Sequence, residues 1–299
     1  MRKSILLLLI IAGLQQTHAC DLCGCNSGNY FIGPIPQFNR NFVGLQYSFQ
    51  HYNTLLNNDN TQFSKDFFQT TNLMLGSKFL TNWQLFLFVP YNINHSLSDE
   101  GPRSINGLGD ITFLADYNLL DIKALNKDTE TVFQQLMVGG GIKFPTGKFR
   151  VDSAEIVSTA NVQSGTGSYD FLMNAIYSFQ IRSWGFNLNT NYKINRSAEH
   201  FKFGNLFTVN TILFRNFHIG TVTLSPNVGL LYESVSANMN YSQKVKDTGG
   251  YDLFSVLGFE LRYKNISVGA NVQIPLKSDL SKGQTTAETR GMCHLSYMF

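Results

Sequence analysis

The sequence predicts an all-β fold: a transmembrane, antiparallel, up-and-down β-barrel of about 12 strands. Three observations point there. Charged residues make up only 14% of the 299-residue chain and aromatic residues 13%, against roughly one quarter charged in an average soluble domain. Apolar and polar residues alternate in segments longer than the usual strand of about 5–6 residues. The joins between these segments are by turns very short and long. The same numbers exclude other classes. A helical membrane protein carries several apolar runs of about 20 residues, and this chain has one short run, at its N-terminus. The aromatic content supplies ample surface to bury, which disorder lacks. A net charge of +3 without Lys or Arg clusters gives nucleic acid no footprint.

The N-terminus comes first in chain order. Arg2 and Lys3 precede an apolar stretch from Ile5 to Leu14, and Thr17-His18-Ala19 follow. This pattern is a secretory signal peptide over residues 1–19, too short to cross a membrane as a helix, and it sends the chain through the Sec pathway. Cleavage after Ala19 exposes Cys20, Cys23 and Cys25 as C-x-x-C-x-C in an oxidising compartment. Close thiolates suit Cu(I) or zinc, which makes copper the candidate cofactor. A disulfide leaving one thiol over is the competing reading. Lipidation of Cys20 is a third, although Thr17 stands where lipoprotein signals carry an aliphatic residue. No nearby His completes a zinc set, because His18 leaves with the signal. Residues 26–40 are too rich in Gly and Pro for a strand, and 20–40 are read as a Cys-rich periplasmic segment or a plug.

The barrel follows over 41–299. The period-two segments lie near 41–52, 68–80, 82–94, 108–119, 131–144, 167–180, 183–194, 203–214, 217–232, 250–263, 265–275 and 285–299. In one, Trp184, Phe186, Leu188, Thr190 and Tyr192 alternate with Gly185, Asn187, Asn189, Asn191 and Lys193. Lengths of this order suit tilted strands crossing a bilayer. Tight joins fall at Thr81, at Ile181-Arg182, at Arg215-Asn216 and at Lys264, and the inner join near 120–130 is longer. Long loops separate the other pairs. Short turns on one side and long loops on the other are the rhythm of an outer-membrane barrel. A closed sheet pairs every backbone group inside lipid, so the apolar face must point outward and the polar face inward. Tyr47, Tyr91, Tyr117, Tyr177, Tyr232, Tyr263 and Tyr297 stand where the interfacial aromatic girdles would be. The last segment ends on Tyr297 and Phe299, similar to the C-terminal signature that barrel-assembly machinery recognises. Outer-membrane lipid, that machinery and a small-molecule solute are the implied partners, in a bacterial outer membrane.

Three patches carry a family resemblance. They are Gly107-Leu108-Gly109-Asp110, Gly141-Ile142-Lys143-Phe144-Pro145-Thr146-Gly147, and Gly165-Thr166-Gly167-Ser168-Tyr169-Asp170. In order and spacing, over residues 40–299, they resemble the transporter-like outer-membrane barrel family first associated with phenol meta-cleavage pathways. The Cys-rich N-terminus looks like a subgroup feature. The resemblance implies a channel or transporter for small or hydrophobic compounds. The residues themselves read as structural: glycines where a loop meets the wall, and Pro145 where the ladder must stop.

Alternation places Lys78, Asp110, Asp116, Lys143, Asp170, Lys193, Asp252, Glu260, Arg262, Glu288 and Arg290 on the inward face. A charge facing lipid at mid-depth costs about 2–4 kcal/mol, so inward placement is enforced. These residues line a pore and set its selectivity, or they form salt bridges that fill a narrow lumen; the two readings stay open. Cys293 falls on the lipid face as a small apolar residue. No nucleophile motif accompanies His51, His95, His200, His218 or His294, so the expectation is a channel rather than an enzyme. The alternative of another class is a copper-handling or structural surface barrel using Cys20, Cys23 and Cys25.

Overall fold

The structure is a computed structural model. It describes residues 40–55, 63–99, 101–125, 131–150 and 162–299. The leader expected over 1–19 and the segment with Cys20, Cys23 and Cys25 lie outside the described residues.

Twelve antiparallel strands close into a barrel. They are β1 (Phe42–Leu55), β2 (Phe63–Phe79), β3 (Trp83–Ser98), β4 (Gly101–Leu108, resuming as Ile111–Leu125), β5 (Thr131–Phe144), β6 (Asp170–Ile181) and β7 (Trp184–Ile194). The circuit continues with β8 (Leu206–Arg215, resuming as Phe217–Ile219), β9 (Val222–Val235), β10 (Gly250–Tyr263), β11 (Ile266–Leu280) and β12 (Thr285–Ala287, resuming as Arg290–Met298). Each strand pairs with its neighbour in sequence. β12 closes the ring on β1, with Val43 opposite Tyr297 and Leu45 opposite Leu295. Closure leaves no sheet edge to be paired by anything else.

The faces sort by the alternation. Leu45, Leu75, Phe113, Leu213, Val268 and Leu295 are exposed on the outer wall, as lipid contact requires. Trp83 packs edge-on against Tyr117 at 5.2 Å near the end of the short turns, and Tyr192 lies 6.4 Å from Phe207 near the other end. These are the two aromatic girdles. Tyr47, Tyr91, Tyr232, Tyr263 and Tyr297 are likewise exposed. Cys293 is exposed on the outer face with its thiol free.

Several expected boundaries move. β2 starts at Phe63 rather than 68, β3 runs to Ser98 and β11 to Leu280. These extensions rise past the outer girdle, where the outward face need not be apolar, so the alternation fades while the ladder continues. The tight join expected at Arg215-Asn216 is not a turn. β8 keeps one register across that point, with Phe214 opposite Asn227 and Phe217 opposite Leu224. The ladder lapses there because Pro226, beside Asn227, has no N–H to give. Asn216 stays inside the strand and accepts from the Ser225 hydroxyl at 2.6 Å. The real turn is at Gly220, whose φ of +60° only glycine adopts freely.

β5 carries Gly139 and Gly141 on its inward face. A Cβ at Gly141 would lie 2.0 Å from the Phe113 carbonyl oxygen, and one at Gly139 would lie 2.4 Å from that of Ala115. Because these are backbone contacts, Gly141→Val is expected to destabilise the barrel by about 1–3 kcal/mol. The urea midpoint of the reconstituted protein, read from its heat-modifiable gel mobility, checks this.

Candidate functional site

The inward faces of the strands meet in the lumen, where most of the expected ionisable residues lie. Asp116, Asp170 and Glu260 are fully buried, and Asp110, Lys143, Lys193, Asp252 and Arg290 nearly so. Arg262 is half-buried. Two expectations change. Glu288 is exposed and accepts from the Asn53 amide at 2.6 Å. The pairing of β12 shifts across residues 288–289, from Ala287 opposite Tyr52 to Gly291 opposite Phe49. This break reverses the alternation and turns Glu288 away from the lumen. Lys78 is exposed too, because β2 at that point has passed the mouth of the barrel.

The three patches that carry the family resemblance converge on one node. Lys143 of β5 sets its ammonium 2.7 Å from Asp110 of β4 and 2.5 Å from Asp170 of β6, and also donates to the Thr166 hydroxyl. Asp110 accepts from the backbone N–H of Thr166 at 2.9 Å and of Gly147 at 3.0 Å. Asp170 accepts from the Ser168 hydroxyl at 2.7 Å and the Arg196 N–H at 2.9 Å. The glycines serve close approach: a Cβ on Gly147 would lie 2.7 Å from the Cα of Gly165. Residues far apart in sequence thus form one buried, charge-assisted cluster.

That cluster holds the descending arm of the long loop inside the barrel. Asn92 and Asn94, inward on β3, donate at 2.8 Å to the carbonyls of Ser164 and Val162. Asn94 also donates to the Gln163 carbonyl at 3.1 Å. Three hydrogen bonds at about 1 kcal/mol each fix this segment. N92A together with N94A is therefore expected to loosen it by about 2–3 kcal/mol and to raise conductance in planar bilayers. An unchanged conductance would show that residues 162–164 do not narrow the path.

A second node sits between β9, β10, β12 and β1. Arg290 pairs with Glu233 at 2.7 Å and Asp252 at 3.2 Å, and it donates to the Tyr52 hydroxyl. Its guanidinium lies 4.1 Å from the centre of the Phe254 ring, a cation–π contact. A third pair, His294 with Glu260 at 3.1 Å, is joined by the Ser267 hydroxyl.

The sequence reading missed Asp66, Glu233 and His294, all buried on the inward face. Asp66 and Glu233 fall just outside the expected strand ends. His294 alternates inward between the outward Cys293 and Leu295, so the period-two pattern of β12 marks its place.

The lumen is also less polar than alternation alone requires. Phe42, Met74, Phe86, Phe88, Leu114 and Met137 form a buried cluster. Tyr52, Phe68, Phe214, Leu231, Phe254 and Val256 form another. These side chains share the inward face with Gln84, Asn92, Asn174 and Asn210. Aromatics thus occupy both faces of the wall, so the interior is more mixed than the expected polar face.

No protein-family profile matches the sequence, and no curated protein does. Solved structures do match in shape. The chain is similar to an outer membrane channel from Pseudomonas putida F1, at 12% identity and a TM-score of 0.62, over 91% of this chain and 98% of that one. It also overlaps the β domain of the Bordetella autotransporter BrkA, at 9% identity and a TM-score of 0.49, over 87% of this chain and 100% of that one. The first likeness carries the fold, that of an outer-membrane β-barrel.

Proposed function

We propose that the chain is a passive channel of a bacterial outer membrane, admitting small solutes with an apolar body. The observation that carries this reading is the cluster of apolar side chains on the inward face. Phe42, Phe86, Phe88 and Met74 face inward and pack on one another, so a solute whose apolar body parts and contacts these side chains gains by leaving water, where a polar solute does not. Beside that cluster, Asn92 and Asn174 spend their amide donors on the Ser164 carbonyl and on Asp116 and so brace the wall. Binding along such a track must be weak and repeated, so that the solute can leave as well as enter. The ion-paired nodes fix the wall and the inward loop, and they set the width through which the solute passes. Transport is then diffusion down a gradient, with no bond made or broken. Support also comes from the overall likeness to a barrel channel.

Reconstitution of the full mature chain into planar bilayers tests the proposal. Discrete conductance steps are expected, and electrically silent bilayers containing folded protein would refute it.

A further inference from the structure

Among the described residues the cations of the lumen are not paired alike along its length. In the extracellular half each cationic node has its acids: Lys143 has Asp110 and Asp170, and Arg290 has Glu233 and Asp252. The periplasmic mouth differs. Arg40, just before β1, and Lys78, at the end of β2, line a cavity of about 240 Å³ together with Asn41, Asn265, Met298 and Phe299. Arg262, inward on β10, is close enough to Arg40 for the two cations to repel. Among the described residues no carboxylate side chain lies within 4 Å of the side-chain nitrogens of these three cations. Glu260, two residues from Arg262 on the same face of β10, attracts it, while Ser267 donates to the Glu260 carboxylate and His294 pairs with it; Asp116, inward on β4 opposite Gln84 and hydrogen-bonded by Asn174, is the second acid of this half.

Like charges gathered at a mouth with low-dielectric walls focus the field and concentrate counter-ions. At physiological salt the field reaches about 8 Å, enough to span a narrow opening. Directly inward of the cations, Phe42 and Met298 begin the apolar cluster of the lumen. Positive charge followed by apolar surface is complementary to a solute with a single anionic group and an apolar body.

We propose that the periplasmic mouth is an anion-collecting vestibule, formed by Arg40, Lys78 and Arg262, and that the solute class is small organic anions. This rests on the channel reading and adds the sign of the solute's charge.

The test is the reversal potential of the reconstituted full mature chain across a KCl gradient, repeated with potassium hexanesulfonate, whose anion stays charged at any working pH. The expected permeability ratio of anion over potassium is at least about threefold in chloride, and above one with hexanesulfonate. R40Q, K78Q and R262Q combined should bring both ratios to about one. K264Q is the matched control. It removes the same sort of charge from the same rim, but Lys264 lies over the Tyr263 ring on the outer wall, so the ratio should hold. All variants should keep the heat-modifiable mobility of a folded barrel, since the three cations are exposed or half-buried. Silent bilayers would overturn the channel reading and this one with it. A conducting pore that is unselective or prefers potassium would overturn this inference alone, as would equal losses in K264Q and in the triple variant.

Discussion

Replacing Lys143 by methionine is expected to destabilise the barrel by about 3–5 kcal/mol, because it leaves Asp110 and Asp170 buried without their cation. Lys143 is 1% exposed and lies 2.7 and 2.5 Å from the two carboxylates. The backbone N–H groups of Thr166, Gly147 and Arg196 remain, but they do not cancel two negative charges facing one another in a low dielectric. Urea titration of the folded band on unheated gels measures the loss. A triple variant, K143M with D110N and D170N, separates charge from packing. It should recover a large part of the stability, since neutral amides can share the same hydrogen bonds. A triple variant as unstable as K143M would mean that shape rather than charge holds the node. The inward loop should loosen in K143M as well, because Thr166 is tied to Asp110 from both its backbone and its hydroxyl.

The second large effect belongs to Arg290. R290M is expected to cost about 3–5 kcal/mol by stranding Glu233 and Asp252, with a further loss of about 1 kcal/mol from the contact with Phe254. R290K discriminates between a charge and a planar fork. Lysine supplies the charge, yet it cannot give parallel N–H groups to Glu233, Asp252 and Tyr52 while its stem lies on the Phe254 ring. R290K should therefore fall between the wild type and R290M in urea midpoint. Equality with the wild type would show that only the charge matters at this site.

How far the sequence revealed these features follows from the physics of a strand wall. Where β6, β7 and β11 cross the lipid, every second residue must be apolar, so Phe171, Trp184 and Val268 announce their faces without any tertiary information. The twelve strands and their circuit are legible for that reason. Above the outer girdle the constraint lapses, and the start of β2 at Phe63 left no periodic trace. Asp66 was lost with it. Glu288 was misplaced because a break in register has no side-chain signature at residues 288–289. The node at Lys143 could be read only as three separate patches. Their meeting depends on the loop folding inward onto Asn92 and Asn94, a tertiary event that no local pattern encodes. Phe86 and Phe88 share the inward face with Gln84 by alternation alone. Their gathering into a cluster with Phe42 and Met74 required the barrel to close.

Vesicle swelling in isosmotic amino acids tests most directly the claim that the lumen conducts small solutes with an apolar body. Free leucine and free asparagine are nearly equal in mass, and their zwitterionic ends keep both from crossing lipid unaided; leucine is the bulkier, so size alone favours asparagine and apolar character alone favours leucine. Vesicles carrying the protein are predicted to swell faster in leucine than in asparagine, and F88L, F86L and F86N F88N, compared at equal amounts of heat-modifiable folded band, should lose that preference in step with the aromatic and apolar surface removed. Swelling no faster than in protein-free vesicles, or equal rates for the two amino acids in the wild type, would contradict the account.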